Sequence, residues 1–111
     1  MNTSTEPTDP PADLVQLRVA FLLADAACAK ARDLEPSGSD IAKGLAVISD
    51  EVRAIVKAAN DERMRITLAI HRHPWWSTVP NRVVAEGEMR KIAAAEYDAQ
   101  RAAQQGQPAT V

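Results

Sequence analysis

The sequence predicts an all-α protein: a helical hairpin extended to a three-helix arrangement around one long middle helix, with a disordered N-terminal arm and a C-terminal tail. Two observations lead to this fold class. Apolar residues recur at alternating steps of three and four over long stretches, which is the spacing of a helix face packed against another helix. These stretches are separated by short segments rich in Pro, Ser and Gly, around Pro36 and between Pro74 and Pro80.

The domain organisation follows from composition along the chain. Residues 1–12 are rich in Thr, Ser, Asp and Pro and lack the apolar area that would offset the entropy of ordering, so we expect a disordered arm. Residues 13–104 are predicted to form a single helical domain, followed by a flexible tail over 105–111. Within the domain we expect helices over about 12–34, 40–73 and 81–104.

The first predicted helix starts after Asp9, whose carboxylate can cap free N–H groups, while Pro10 and Pro11 occupy positions that need no donor. Cys28 lies on its apolar face and is interpreted as a small core residue, because a thiol among alanines has no nearby cation or base to activate it. The apolar seam of this helix consists of Leu14, Leu17, Phe21, Ala24, Cys28 and Ala31.

The middle helix is expected to start near Asp40, after a turn over 35–39 in which Ser37 or Ser39 can act as the N-cap. Gly44 is the one helix-breaking residue inside it and lies so close to the start that we expect it to shorten the helix little. Such a helix would span about 48 Å, beyond the roughly 30 Å width of a small domain. We therefore expect it to project and to contact both other helices.

The third helix is predicted to be the weakest, because its apolar face is mostly Ala and because Gly87 costs about 1 kcal/mol relative to Ala. Of the 51 apolar residues of the chain, 21 are Ala, so the core has few large side chains. A thin core together with a projecting helix predicts self-association into a homo-oligomer.

The location of the protein is predicted from its cysteine content and its apolar stretches. The single Cys28 excludes an intramolecular disulfide, and the N-terminal stretch lacks the basic start and apolar run of a signal peptide. No stretch approaches the roughly 18 uninterrupted apolar residues of a membrane span. We therefore expect a cytoplasmic protein without a membrane partner.

No motif in the chain indicates a reaction. A GxSxG elbow, a Gly-rich phosphate loop and a CxxC pair are all absent. His71 and His73 form an HxH pair, but on a helix these two positions point in nearly opposite directions, and no third His completes a metal site. We therefore expect a protein that is not an enzyme, and we assign no catalytic, cofactor-binding or metal-ligating residue.

The most informative segment is 71–82, which joins the second and third predicted helices and holds two adjacent tryptophans. We expect one indole to enter the core and the other to face solvent, because an Ala-rich core has little room for two. An exposed Trp beside arginines has the composition of an interface hot spot. The sequence thus predicts a small helical protein-interaction module, an adaptor, inhibitor or assembly factor, whose partner-binding residues are Arg72, His73, Trp75, Trp76 and Arg82.

The alternative is a nucleic-acid-binding regulator that uses the basic region 63–91. This region carries six basic and two acidic residues, whereas the whole chain has a net charge of −2. Stacking on bases and contacts to phosphates would use the same side chains as a protein interface. Against it, a DNA-recognition helix typically follows a turn of about three or four residues, and Glu86 and Glu88 would face the phosphates. Protein binding is therefore the preferred prediction.

Overall fold

The computed structural model describes residues 9–106 and is built from helices alone. The predicted all-α fold is confirmed, and its long middle helix is present. The predicted arm over 1–12 and tail over 105–111 lie mostly outside the described residues. In chain order the elements are α1 (Ala12–Arg32), α2 (Gly38–Ala42), α3 (Asp50–His71), a 3-10 turn (Pro74–Ser77) and α4 (Arg82–Gly106).

Helix α1 begins where the sequence predicts, but a different residue caps it. Pro11 is the N-cap in an extended conformation, and its carbonyl oxygen accepts from the backbone N–H groups of Leu14 and Val15 at 3.1 Å. No side chain caps this end, so the expected role of the Asp9 carboxylate is wrong. The carboxylate of Asp13, in the first turn, lies at the positive end of the helix dipole instead.

The start of the middle helix is the main correction to the sequence prediction. Gly44 does not continue a helix: its φ is +74°, a left-handed conformation that glycine adopts without steric cost. The N–H of Leu45 donates to the carbonyl of Asp40 at 2.8 Å, and that of Gly44 to Ile41 at 3.1 Å, which together form a Schellman motif that ends α2.

A new helix then starts ten residues later than predicted from Asp40. The Ser49 hydroxyl accepts from the N–H of Val52 at 3.1 Å, and the acidic Asp50 and Glu51 occupy the first turn of α3. With 22 residues against 21 in α1, the two helices are nearly equal in length. The expected projection of the middle helix is therefore wrong, because α1 is long enough to cover it.

Helix α1 is the element that packs against both α3 and α4, whereas α3 and α4 hardly contact one another directly. Helix α4 has 25 residues, and its buried side chains, Ala85, Met89 and Ala93, all lie in its first half. The five residues from Arg101 to Gln105 are exposed. It is α4, rather than α3, that extends beyond its neighbours.

The hydrophobic core lies at the end of the molecule where α1 begins, α3 ends and the 3-10 turn connects to α4. Leu14 is fully enclosed there and Val19 nearly so, while Ile66 and Ile70 meet them from α3. The opposite end is open, with Leu34, Leu45 and Val47 exposed by more than half. The radius of gyration is 19.0 Å, against about 13 Å for a compact domain of this length, so the fold is elongated.

Candidate functional site

The 3-10 turn is positioned by His73 and Pro74. His73 is extended, the conformation that a following proline favours, and its Nδ1 accepts from the backbone N–H of Trp75 at 3.1 Å. Its Nε2 lies 3.1 Å from the Asp13 carboxylate, at the start of α1. With Nδ1 accepting, the neutral tautomer that carries its proton on Nε2 satisfies both contacts. His73 thus links the turn to α1.

Both tryptophans are buried, so the expectation that one of them faces solvent is wrong. Trp75 is 8% exposed and Trp76 is 9% exposed. Their ring centroids lie 5.2 Å apart with the planes tilted by 55°, a favourable aromatic pair. The Trp76 Nε1–H donates to the carbonyl oxygen of Ile70 at 2.6 Å. Two indoles fit because they pack on each other at the end of the bundle, between the helix termini, rather than between Ala-lined helix faces.

The arginines of the predicted contact set remain accessible. Arg72 caps the C-terminus of α3 and is exposed. Arg82 is also exposed; its guanidinium carbon lies 4.6 Å from the centroid of the Trp76 ring, and its Nη2 donates to His71 Nδ1 at 3.2 Å. A buried indole thereby orients an exposed cation. His73, with 13% of its side chain exposed, is mostly enclosed.

A cavity of about 130 Å³ lies between α3 and α4, with α1 forming its third side. Of the predicted contact residues, Trp76 and Arg82 line it, whereas Arg72, His73 and Trp75 do not. Its floor is apolar and its rim is mostly cationic. The lining residues are Arg18 and Phe21 from α1, Thr67, Ile70 and His71 from α3, Trp76 from the turn, and Arg82, Glu86, Met89 and Arg90 from α4.

Sequence reasoning missed the contribution of α1 to this site. Arg18 lies with its guanidinium carbon 4.6 Å from the centroid of the Phe21 ring, one helical turn away. The spacing of three between an Arg and an aromatic residue is a local signal that was readable in the sequence. That this pair meets Trp76 and Arg82 across the cavity was not readable, because no local pattern relates α1 to α4.

The charges around the cavity are unbalanced. Arg90 pairs with Glu86 at 2.7 Å, but neither Arg18 nor Arg82 forms an ion pair with a carboxylate within the described part of the chain. Burial, and then the charge of Arg90, lower the pKa of the Arg18 guanidinium, which stays protonated at neutral pH because its ordinary pKa is so high. With three guanidinium groups and one carboxylate, the rim has an excess of positive charge.

Most of the basic region 63–91 is neutralised by neighbouring carboxylates. Four of its six basic side chains form ion pairs, leaving Arg72 and Arg82 without one among the described residues. The pairs are Arg63 with Asp25 at 2.7 Å, Arg65 with Glu62 at 2.6 Å, Arg90 with Glu86 at 2.7 Å and Lys91 with Glu88 at 3.9 Å. The region therefore presents less free positive charge than its composition suggests.

Residues 9–106 contain neither a metal-binding cluster nor a membrane-spanning helix. No three His, Cys, Asp or Glu side chains come together there in a group that would hold a metal ion. None of the helices in this range combines the length and apolarity needed to cross a bilayer. Cys28 is a free thiol, 2% exposed and enclosed beside the core.

Residues 13–92 match the family described as a domain of unknown function, DUF8825. The chain belongs to the DUF8825 family. The match runs from the first turn of α1 into the first half of α4, so every residue that lines the cavity lies within the family domain. No curated protein and no solved structure matches the chain.

Proposed function

We propose that this DUF8825 protein is a small protein-interaction module, an adaptor, inhibitor or assembly factor, that contacts a protein partner with the face formed by the Trp/Arg loop 71–82 and the adjoining cavity. Its role is binding rather than catalysis, and a cytoplasmic location accords with its one free thiol. The observation that carries the proposal is the exposed Arg82 held on the buried Trp76 ring at the mouth of the cavity.

The stacked arginine supports a protein interface because it is oriented before a partner arrives. A guanidinium held on an aromatic ring loses less conformational freedom on binding than a free one, and its in-plane N–H groups remain available to donate. Arg is enriched at hot spots together with the aromatic residues that support it. Val83, next to Arg82 in the chain, is 80% exposed and would offer a partner an apolar side chain on the same helical turn.

A nucleic-acid-binding regulator is the competing proposal, and the ion pairs weigh against it. Binding to a phosphate backbone depends on several free cations that displace counterions. Here Arg63, Arg65 and Arg90 each have a carboxylate within 2.7 Å. The buried tryptophans also offer no open ring face on which a base would stack.

Site-specific crosslinking in the native host tests the protein-binding proposal. A photoreactive amino acid at Val83 should crosslink to one defined protein, and the product should survive nuclease treatment. The same amino acid at Ala102, exposed in the last turns of α4 and 19 residues along the helix from Val83, is the control and should give no such product. Nuclease-sensitive products at Val83, or equal protein products at both positions, would contradict the proposal.

A further inference from the structure

We propose that the cavity between α1, α3 and α4 binds an aliphatic carboxylate, and that the carboxylate is a glutamate side chain of the protein partner. This inference rests on the proposed function, since it names the chemistry that the partner would present. The inference goes beyond the 71–82 loop, because it depends on Arg18. This residue lies on α1 and lines the same cavity as Arg82.

The floor of the cavity suits a ligand with an apolar stem. Phe21, Ile70, Trp76 and Met89 line it; Phe21 is partly buried and the other three are at most 9% exposed, so packing holds this apolar surface in place. A ligand that enters would displace water from this surface, which is favourable for methylene groups and unfavourable for a wholly hydrated ion. Inorganic phosphate lacks such a stem, whereas a glutamate side chain has two methylene groups.

The rim suits a single negative charge. Arg18 and Arg82 each lie over an aromatic ring with a guanidinium-to-centroid distance of 4.6 Å. One N–H of Arg82 donates to His71, and the other N–H groups of the two guanidinium groups have no acceptor among the described residues. Neither has a carboxylate partner within the described residues, while Arg90 is paired with Glu86 at 2.7 Å. A carboxylate between the two guanidinium groups would make charge-assisted hydrogen bonds to both. It would also give the half-buried Arg18 an anionic partner, which that residue otherwise lacks.

The volume limits the ligand to a small group. Ligand pockets for nucleotide-sized molecules hold roughly 300–1,000 Å³. The cavity holds about 130 Å³, well below this range. This room matches one side chain or a short free acid rather than a cofactor.

Trp76 provides the reporter for a direct test. In a Trp75→Phe background, Trp76 is the one tryptophan, and its fluorescence should change on titration with butyrate at constant ionic strength. Acetate, which has a shorter stem, should bind more weakly, and phosphate and chloride should leave the signal unchanged. Calorimetric titration of the unmodified chain with butyrate checks the result independently of the Trp75→Phe change.

Two arginine variants separate the cavity from surface charge. Arg18→Gln should raise the dissociation constant of butyrate roughly tenfold, as loss of a charge-assisted hydrogen bond does. Arg53→Gln removes the same charge from an exposed position in the first half of α3, outside the 71–82 loop and the cavity, and should leave the constant unchanged. Circular dichroism melting of each variant shows that it is folded. Equal losses in both variants, or phosphate binding as well as butyrate, would overturn the inference.

Crosslinking from Val83 in the Arg18→Gln variant distinguishes this inference from the proposed function. Loss of the crosslinked protein, with Arg53→Gln retaining it, is the expected result. If the protein still crosslinks to Arg18→Gln with undiminished yield, the interaction role stands and the glutamate inference is wrong. If butyrate binds in an Arg18-dependent way but no protein crosslinks, the cavity binds a free acid. The proposed function and the assignment of the carboxylate to a partner glutamate are then both wrong.

Discussion

The indole N–H of Trp76 donates to the backbone carbonyl of Ile70 across 2.6 Å. Ile70 lies in the last turn of α3, where helix carbonyls lack an i+4 partner within the helix. That carbonyl also accepts from the backbone N–H of His73 at 3.2 Å, so the indole makes the second bond to the same oxygen and holds the 3-10 turn against the end of α3. Because Arg82 stacks on the same indole, the geometry of the cavity rim depends on this contact.

The first prediction compares the two tryptophans. Trp76→Phe should destabilise the fold by about 1 kcal/mol more than Trp75→Phe, because only Trp76 loses a hydrogen bond from its indole nitrogen. Changing either residue to Ala should cost about 3–5 kcal/mol, since both rings are buried. Urea unfolding measures these differences. If Trp75→Ala leaves the free energy of unfolding unchanged, the Trp75 ring is not buried and the 3-10 turn packs differently.

The second prediction uses a matched pair of glycines. Gly44→Ala should destabilise by about 1–2 kcal/mol, because a Cβ is disfavoured at a φ of +74°. Gly87→Ala should stabilise by about 1 kcal/mol, because Gly87 lies inside α4 and alanine has the higher helix propensity. An added Cβ meets no atom within 4 Å at either position, so backbone conformation alone separates them. Thermal melting tests both, and a stabilising Gly44→Ala would restore the continuous middle helix as the better description.

The third prediction concerns self-association. An apolar groove at the open end of the α1–α3 pair is lined by Leu34 and Ile55, which are 53% and 47% exposed. We expect a dimer or larger assembly at micromolar concentration, measured by light scattering, because such apolar area is favourably removed from water.

Two lysine variants locate the contact. Ile55→Lys should reduce the mass to that of one chain, whereas Met64→Lys should not. Met64 is 58% exposed and lies nine residues further along α3, on the opposite side of the helix. A mass of one chain for the unmodified protein at every concentration would contradict self-association.

The fourth prediction concerns pH. The hydrogen bond from His73 is the largest cause that lowers the pKa of the Asp13 carboxyl below its ordinary value. The folded state therefore binds this proton less readily than the unfolded state. The stabilisation is present above the ordinary pKa of about 3.9 and is lost as pH falls through the lower folded value. Asp13→Asn should remove this part of the acid sensitivity in urea unfolding at a series of pH values; an unchanged profile would show that the contact contributes nothing.

The fifth prediction addresses the alternative function. Binding to single-stranded or duplex DNA or RNA should be weak in an electrophoretic shift assay at physiological salt, because most of the basic side chains in 63–91 are paired. Tight binding that falls steeply with added salt would instead favour the regulator over the interaction module.

The helices of this protein were predictable from sequence wherever the signal is local. The start of α1 near Ala12 and the break at Pro74 follow from proline chemistry and apolar spacing. The error at the middle helix has a physical cause: apolar spacing continues through Ile41 and Leu45, but the left-handed Gly44 and the Ser49 cap outweigh it.

The sequence by itself determined the helical class, the start of α1 and the place of the tryptophan turn, because each depends on residues within a few positions of one another. Only the tertiary structure decided that both indoles are buried and that Arg18 meets Arg82 around one cavity. Those outcomes depend on how α1 spans α3 and α4. The packing is set by the total fit of side chains from distant parts of the chain, which no local pattern encodes.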